Sequence, residues 1–521
     1  MQRKIKLLQS LILAVGVSLL SACAVNPVTG KDELALFSES WELETGREQY
    51  SPSRQMQGGD YDLDPGLSRY VNEVGQRLAA ASDRKLPYEF EVINDSSPNA
   101  WALPGGKIAI NRGLLLELET EAELAAVLSH EIVHTAARHG AKGMERGMLL
   151  QGVVLAAGMA SSNSDYSRVA VGAAAVGANL VNQRYSRGAE TESDYYGMVY
   201  MVRAGYNPQA AVKLQETFVR LSKEKKQDWL SGLFVSHPPS KERVRRNREA
   251  VQKLGAKGGE WGRERYQRVM ANLHRSKPAY DALDEGLKAL QDGDERQALK
   301  LAGKAISIEP KEALFYSLRG DIFYKQKRYQ QALKDYNQAL DHNDGYFRYY
   351  LERGVTREKL RDQQGARQDL KKSIKLLPTA IAFNALGRLA LVSGNRRQAK
   401  KYFGQAAGSK SPDGIAAARE LVRLDISDNP RRYFKVNLEA LRNGDVVALI
   451  HNGTKERLRN VRFAVGQRSG GGRLLNPDTH YIRGVMLPGE TVQIRTGIRG
   501  LANKGQLQQY GVMVVGAEIA K

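Results

Sequence analysis

The most informative stretch of this 521-residue chain reads His130-Glu131-Ile132-Val133-His134. It lies inside an apolar segment, residues 122–137, for which we predict a helix from about residue 119 to about residue 138. Residues four apart share one face of a helix, so the two imidazoles can reach the same metal ion. The intervening glutamate can then point at a water on that ion, which is the arrangement of metal-assisted hydrolysis.

The chemistry of such a site requires these residue types. A zinc ion held by three protein ligands keeps a fourth position for water. Glu131 would take a proton from that water and later deliver it to the leaving amine. The pattern also arises by chance in unrelated helices, where both histidines are ordinary surface residues. Only eight histidines occur in the chain, and the apolar surroundings of these two favour a metal site.

A second motif, Glu190-Thr191-Glu192-Ser193-Asp194, follows about 56 residues further on. If Glu190 faces the metal, Asp194 lies one turn further along the same helix face. With this motif the chain resembles the gluzincin zinc metallopeptidases of peptidase family 48, the group of HtpX-like and CAAX-processing proteases. The resemblance implies that Glu190 is the third zinc ligand and that Asp194 orients a ligand histidine. Glu192 projects from a different face and is predicted to be a solvated or packing residue.

Three further segments resemble the same family, and the resemblance covers roughly residues 24–265. Residues 99–106 resemble the stretch that leads into an edge strand. We predict that residues 107–110 form this strand. In the family, such a strand pairs with an extended substrate. Ser236-His237-Pro238-Pro239 resembles the segment after the second zinc helix. His237 would stabilise the tetrahedral oxyanion, or sit on the metal and hold the enzyme shut, or have no role beyond local structure. Residues 26–30 resemble the start of the lipoprotein and periplasmic branch.

Four other polar residues near these motifs have two interpretations each. Arg243 either pairs with a buried carboxylate such as Asp194 or is exposed at the surface. His139 falls off the metal-binding face and is predicted to be a packing residue. Tyr185 and Tyr195 are either hydrogen-bonding groups near the site or members of the core.

The only cysteine, Cys23, indicates the compartment. Residues 1–22 combine a basic start, an apolar run and small residues, which is typical of a signal peptide. The sequence Leu20-Ser21-Ala22-Cys23 resembles a bacterial lipobox and implies acylation of Cys23; an ordinary signal peptide with a chance cysteine is the alternative. Ala24 matches the outer-membrane sorting pattern. We therefore predict a periplasmic protein, lipid-anchored to the outer membrane, with residues 23–45 as a tether.

Beyond residue 278 small residues recur with a period of about 34. The glycines of this series have spacings of 34, 34 and 33 residues and are Gly286, Gly320, Gly354 and Gly387. The period is that of the tetratricopeptide (TPR) repeat, a helix-turn-helix unit that stacks on its neighbours. Small residues are required where the paired helices approach closely, and aromatic residues such as Tyr316, Tyr336 and Phe403 fill the gaps between helices. We predict about four repeats with a capping helix over residues 278–425.

The last 90 residues change to a period of two. Residues 446–450, 461–465, 491–494 and 512–515 are apolar or alternating runs, separated by glycine, asparagine and proline. This pattern predicts a small all-β, sandwich-like domain over residues 430–521. The segment contains no catalytic motif and is interpreted as a binding or packing module.

Composition excludes two classes of protein. A mean hydropathy of −0.46 argues against a polytopic membrane protein. The formal charge of +21 divides as +5 over residues 1–277, +8 over 278–425 and +8 over the remainder. Such a diffuse excess, without a basic and aromatic RNA-binding module, argues against a nucleic-acid partner and leaves attraction to anionic lipid or acidic polypeptides open.

The sequence therefore predicts a multidomain, mostly helical chain. An α+β zinc metallopeptidase domain over residues 46–265, with one Zn²⁺, precedes an α-solenoid of TPR repeats and the β domain. The predicted function is hydrolysis of misfolded or misassembled envelope proteins, with the TPR region recruiting clients or assembly machinery. The alternatives are a periplasmic TPR chaperone or assembly adaptor with a silenced or latent protease domain, and an envelope scaffold with a purely structural zinc. The intact motif set argues against silencing, and Glu131 would have no purpose in a structural site.

Overall fold

The computed structural model describes residues 23–156, 184–224, 237–256, 258–470, 473–500 and 504–520. The predicted signal peptide, Ser236 and the side chain of Cys23 lie outside the described part. Two compact units divide the chain, the first comprising the described residues up to Leu377 and the second beginning at Pro378. The chain is mostly helical, with TPR-like repeats and a strand-rich C-terminal region, as predicted. None of the described helices is both long and apolar enough to cross a bilayer.

The first unit holds a small sheet, its covering helices and three helix pairs. Its elements are β1 (Cys23–Val25), β2 (Asp32–Leu34), α1 (Glu39–Met56), α2 (Pro65–Ala80), β3 (Glu89–Ile93), β4 (Ala100–Leu103), β5 (Lys107–Asn111), α3 (Arg112–Leu115), α4 (Glu121–Ala136), α5 (His139–Ala156), α6 (Arg187–Arg203), α7 (Gln209–Glu224), α8 (Lys241–Leu254), α9 (Arg263–Gln291), α10 (Glu295–Ile308), α11 (Ala313–Lys325), α12 (Tyr329–His342), α13 (Phe347–Lys359) and α14 (Gln363–Leu376).

The three-stranded sheet has the order β3-β5-β4. Strand β5 pairs parallel with β3 and antiparallel with β4. The prediction that residues 107–110 form an edge strand is therefore wrong, because both sides of this strand are occupied. Residues 100–103, which belong to the stretch predicted to lead into that strand, form the edge strand β4. The local pattern indicated a short strand after a turn but not its lateral order, which depends on pairing with the distant β3.

Helix α4 carries the histidine motif through the core of the first unit. The Thr120 hydroxyl accepts a hydrogen bond from the backbone nitrogen of Glu123, whose carboxylate in turn accepts from the backbone of Glu119. This reciprocal capping fixes where the helix begins. Of its 16 residues, all except His130 are buried. The predicted helix is confirmed, and its burial on all sides explains why its sequence is apolar rather than amphipathic.

Helix α1 crosses the turn between β4 and β5 so closely that a side chain does not fit. A Cβ added at Gly46 would lie 2.0 Å from the backbone oxygen of Pro104. We expect Gly46→Ala to lower the free energy of unfolding by roughly 1–3 kcal/mol, because helix or turn must move. The matched control is Gly303→Ala in α10, where nothing lies within 4 Å.

Both substitutions gain helix propensity, worth about 1 kcal/mol, so the difference between them isolates the clash. Tryptophan fluorescence during chemical unfolding measures the loss of stability in Gly46→Ala, since all four tryptophans precede residue 262. A thermal melt followed by circular dichroism measures the stability of both variants. Equal responses of the two variants would contradict the close approach.

The N-terminal segment is more ordered than a tether. Strands β1 and β2 pair antiparallel around a turn in which Asn26 Oδ1 accepts a hydrogen bond from the backbone of Val28. Further on, the backbone nitrogens of Leu36 and Phe37 donate to Glu145 Oε1 at 2.9 and 3.0 Å. The segment thus lies against α5, and α1 already begins at Glu39, inside the stretch predicted as tether.

One helix, α9, contains the predicted end of the peptidase segment at 265 and the predicted start of the repeats at 278. Pro278 lies within it without ending it, although a proline removes one helical hydrogen bond. Arg112, at the end of the sheet, is fully buried, with its guanidinium 3.4 Å from the centre of the Tyr280 ring of α9. It donates to Asn94, whose amide lies 3.2 Å from Glu312. This buried polar network joins the sheet to the first repeats.

The helix pairs of the first unit follow the predicted period. Helix α11 packs on α12 where Gly320 faces Tyr336, and a Cβ at that glycine would lie 2.6 Å from the tyrosine ring. Both the close approach at the repeating glycine and the gap-filling aromatic residue are confirmed.

The second unit contains one further helix pair, a capping helix and two antiparallel sheets. Its elements are α15 (Ala380–Val392), α16 (Arg396–Ala406), α17 (Pro412–Asp425), β6 (Phe434–Ala440), β7 (Val446–Asn452), β8 (Leu458–Arg468), β9 (Leu474–Tyr481), β10 (Val485–Met486), β11 (Thr491–Arg495), α18 (Lys504–Leu507) and β12 (Tyr510–Ile519). One sheet has the order β11-β7-β6, and in the other β8 pairs with β9, β10 and β12. Buried side chains of both sheets, such as Ile450 and Phe463, share one core.

Candidate metal centre

Helix α4 presents two histidines and a glutamate to one buried site. The Nε2 atoms of His130 and His134 lie 3.0 Å apart, because residues four apart share one helix face. His134 and Glu131 are buried, and His130 is partly exposed. Two of the predicted ligands are therefore already in contact within one element.

Helix α6 brings the second motif to the same place. Glu190 Oε1 lies 3.4 Å from His134 Nε2, and Glu190 Oε2 lies 3.6 Å from His130 Nε2. Asp194 Oδ1 lies 3.0 Å from His130 Nδ1, as expected of a carboxylate that orients this imidazole. The helices meet at Gly197, where an added Cβ would be 3.3 Å from the backbone nitrogen of His130.

His237 completes a cluster of four. Its Nδ1 lies 3.0 Å from Glu190 Oε1 and 3.3 Å from His130 Nε2, and its Nε2 lies 3.5 Å from Glu131 Oε1. Ligand atoms of His130, His134, Glu190 and His237 all lie within 4.8 Å of one another. Of the alternatives for His237, the structure therefore favours a place in the site over a purely local role.

Arg243 is the site residue on which sequence reasoning was least decided. Its guanidinium is buried and forms two hydrogen bonds with Asp194, at 2.6 and 2.9 Å. Nη1 also lies 2.8 Å from Glu190 Oε2. Arg243 stands in the first turn of α8, where the helix dipole disfavours a cation. An arginine at this unfavourable position indicates, from sequence alone, that its side chain has a specific anionic partner.

His139 and Glu192 also belong to the surroundings of the site, contrary to the prediction. His139 Nδ1 lies 2.9 Å from His134 Nδ1, and His139 Nε2 lies 3.2 Å from Glu192 Oε1. Glu192 does project from another face of α6 than Glu190, but α5 begins there and supplies His139. The contact between His139 and His134 could not be predicted from sequence, since it depends on the conformation of the turn between α4 and α5.

The two tyrosines differ in position. The Tyr185 ring stacks on the imidazole of His134, with centroids 3.8 Å apart and an interplanar angle of 25°. Tyr195 is 36% exposed. Only Tyr185 therefore touches the cluster.

The electrostatics of the cluster favour ligand-competent protonation states of His134 and Glu190. Burial lowers the pKa of His134 well below its usual range, so the imidazole is neutral and keeps a lone pair. Burial would raise the pKa of Glu190, but the neighbouring His237 and the hydrogen bond with His134 hold it well below its usual range. Burial raises the pKa of Glu131, which favours a group that exchanges protons.

Residues 65–251 match the profile of Peptidase family M48. The matched range contains α4, α6, His237 and Arg243, and therefore the whole cluster. The chain carries an M48 peptidase domain. This confirms the family suggested by the two motifs. Residues 313–346 match the tetratricopeptide repeat family, as the period of about 34 residues predicted.

Curated relatives of the M48 domain occur in bacteria and in mitochondria. The beta-barrel assembly-enhancing protease of Escherichia coli K12 is 25% identical over 56% of this chain and 67% of its own length. A Vibrio cholerae relative is 32% identical over 36% of this chain and 40% of its own length. The mitochondrial metalloendopeptidase OMA1 of Schizosaccharomyces pombe is 36% identical over 34% of this chain and 52% of its own length. The chain thus spans between two fifths and two thirds of these relatives.

The donor set of the M48 domain fits a transition metal. Two imidazole nitrogens 3.0 Å apart can share only one proton, whereas a cation satisfies the lone pairs of both. Nitrogen donors of histidine together with a carboxylate oxygen suit Zn²⁺. Across the described residues no hydrogen-bond partner reaches Glu131 Oε2, which is buried beside the cluster.

Proposed function

We propose that the chain is a zinc-dependent endopeptidase of the bacterial cell envelope. The observation that carries the proposal is the convergence of His130, His134 and Glu190 beside Glu131, whose buried Oε2 has no hydrogen-bond partner within the described ranges. A purely structural zinc site would have no use for the additional carboxylate of Glu131.

The residues have separate roles in peptide hydrolysis. His130, His134 and Glu190 would hold the Zn²⁺, which supplies Lewis acidity and lowers the pKa of a bound water. Glu131 takes the proton from the attacking water and transfers it to the leaving nitrogen. Asp194 fixes the orientation of His130, and Arg243 keeps both Asp194 and Glu190 ionised in a buried environment.

The substrate is proposed to bind as an added strand. The edge available beside the cluster is β4, and Ala100 of that strand lines the pocket at the site together with His130 and Glu131. Main-chain hydrogen bonds to a strand edge depend little on substrate sequence. Met198, Met201, Leu214 and Phe218 line the same pocket, so part of its wall is apolar.

His237 is proposed to act in one of two ways. With its Nδ1 among the ligand atoms it would be a fourth protein donor, which closes the coordination position that catalysis needs. If it leaves that position when a substrate binds, it would instead donate a hydrogen bond to the tetrahedral oxyanion. The closeness of its Nδ1 to Glu190 Oε1 supports the first role in the arrangement described here.

Clients and location are inferred from the relatives and the leader sequence. The bacterial relatives are named for beta-barrel assembly, which supports misfolded or misassembled envelope proteins as substrates. The TPR repeats would recruit these clients or the assembly machinery. The lipobox-like sequence supports a periplasmic location, with acylated Cys23 in the outer membrane.

The test is metal content together with cleavage of an unfolded protein. We expect about one zinc per chain, cleavage that a chelator abolishes, and its return when zinc is added. His274→Ala is the matched control, because His274 is exposed on α9 and should change neither result. Absence of zinc from the purified protein would contradict the proposal.

Bound zinc without cleavage would favour a latent enzyme or the chaperone alternative. His237→Ala separates these two, because freeing the fourth coordination position should start cleavage only in a latent enzyme. Continued inactivity of that variant would favour either the TPR chaperone or adaptor or a need for His237 at the oxyanion.

A further inference from the structure

A ligand imidazole has two nitrogens, and the one that does not face the metal needs a fixed partner. In most metal sites this partner is a carboxylate or a backbone carbonyl. His130 follows that rule, since its Nδ1 lies 3.0 Å from Asp194 Oδ1. The Nδ1 of His134 instead faces another imidazole, that of His139, at 2.9 Å.

His139 is itself held in place from the opposite side. It is the first residue of α5 and 6% exposed. Its Nε2 lies 3.2 Å from Glu192 Oε1 on α6, and Asn26 Nδ2 from the N-terminal turn lies 3.5 Å from the same oxygen. Three elements distant in sequence therefore meet at the unliganded side of His134.

The direction of the hydrogen bonds follows from the position of the ligand nitrogens. His134 Nε2 faces His130 Nε2 and Glu190 Oε1 and must present a lone pair to a metal held there, so the proton of this neutral imidazole is on Nδ1. That proton is donated to His139 Nδ1, which must then be the acceptor. His139 carries its own proton on Nε2 and donates it to Glu192. With a metal on His134 Nε2, His134 is the donor, His139 accepts on one side and donates on the other, and Glu192 is the acceptor.

We propose that His139 is a positioning residue for His134, and that Glu192 fixes the tautomer of His139. The proposal rests on the proposed function, because it assumes a metal at the cluster. His139 does for one ligand what Asp194 does for the other. His134 is thereby oriented by the neutral imidazole of His139, which is itself held by the Glu192 carboxylate, whereas His130 is oriented by a carboxylate directly.

The experiment compares zinc affinities of folded variants by competition with a chromogenic chelator. His139→Leu removes the acceptor and is expected to weaken zinc binding about 10- to 100-fold. His139→Asn keeps an oxygen near the position of Nδ1 and should recover most of that loss. Glu192→Gln, which can still accept the hydrogen bond but removes the charge, should weaken binding by a smaller factor. Arg146→Ala, exposed on the same helix, is the control and should change nothing.

A second readout distinguishes positioning from general damage. The visible spectrum of the cobalt-loaded protein should change in His139→Leu and return towards that of the wild type in His139→Asn, because it reports ligand geometry. Equal zinc affinity in wild type and His139→Leu overturns the proposal, as does an Asn variant no better than the Leu variant. If His139→Leu does not fold, unchanged affinity and spectrum in Glu192→Gln overturn it instead. Absence of zinc from the wild type overturns the proposed function and this proposal with it.

Discussion

Glu131→Gln is expected to lower the rate of peptide hydrolysis by roughly 10²- to 10⁴-fold while zinc stays bound. The amide has nearly the same shape as the carboxylate but cannot accept a proton from the attacking water. Glu131 is absent from the group of four possible ligands, so the metal should be retained. Single-turnover cleavage of an unfolded protein, with zinc content measured on the same sample, tests both parts.

The control for this variant is Glu285→Gln, the same chemical change at an exposed position of α9. It should cleave at the wild-type rate. Loss of zinc from Glu131→Gln would mean that Glu131 is a ligand and would contradict the assignment of Glu190. Undiminished cleavage would remove Glu131 from the mechanism.

Arg243→Ala is expected to lower the free energy of unfolding by about 3–5 kcal/mol, because one partner of a buried ion-pair network is removed. Asp194 and Glu190 would remain buried without the guanidinium that now contacts both. Their pKa values should rise, and a protonated Glu190 binds zinc poorly. The variant should therefore lose metal affinity as well as stability.

Arg245→Ala, on the same helix, is the matched control. Arg245 is exposed and pairs with Glu242 and Glu249 at the surface, where removal costs at most about 1 kcal/mol. Chemical unfolding followed by tryptophan fluorescence measures both variants in metal-free protein. Arg243→Lys should be intermediate, because an ammonium cannot form both parallel hydrogen bonds to Asp194. Equal stability of the Arg243 and Arg245 variants would contradict the buried network.

Much of the candidate site could be predicted from sequence, because its signals are local. His130 and His134 are related by one helical turn, and Glu190 and Asp194 repeat that relation. A period of 3.6 residues translates such spacing directly into a shared face. The TPR repeats were predictable for a related reason, since the requirement for a small residue at positions such as Gly320 recurs in every unit.

The edge strand shows where local pattern fails. Residues 107–110 have the composition of a short strand, and they form one. This strand, however, pairs with β3 on one side and with β4 on the other, so it lies in the middle of the sheet. Lateral order in a sheet is a long-range property, so sequence pattern alone places the sheet edge on the wrong strand.

The sequence by itself determined the two ligand helices, the repeats and the family, because helical periodicity and repeat length can be read from residues that are close together in the chain. Only the tertiary structure decided that Arg243 is buried against Asp194, that His139 lies behind His134 and that β4 is the edge. The first two are contacts between separate elements, and they are stable because a buried polar group must find a partner wherever the fold supplies one. The third follows from strand pairing between residues far apart in sequence.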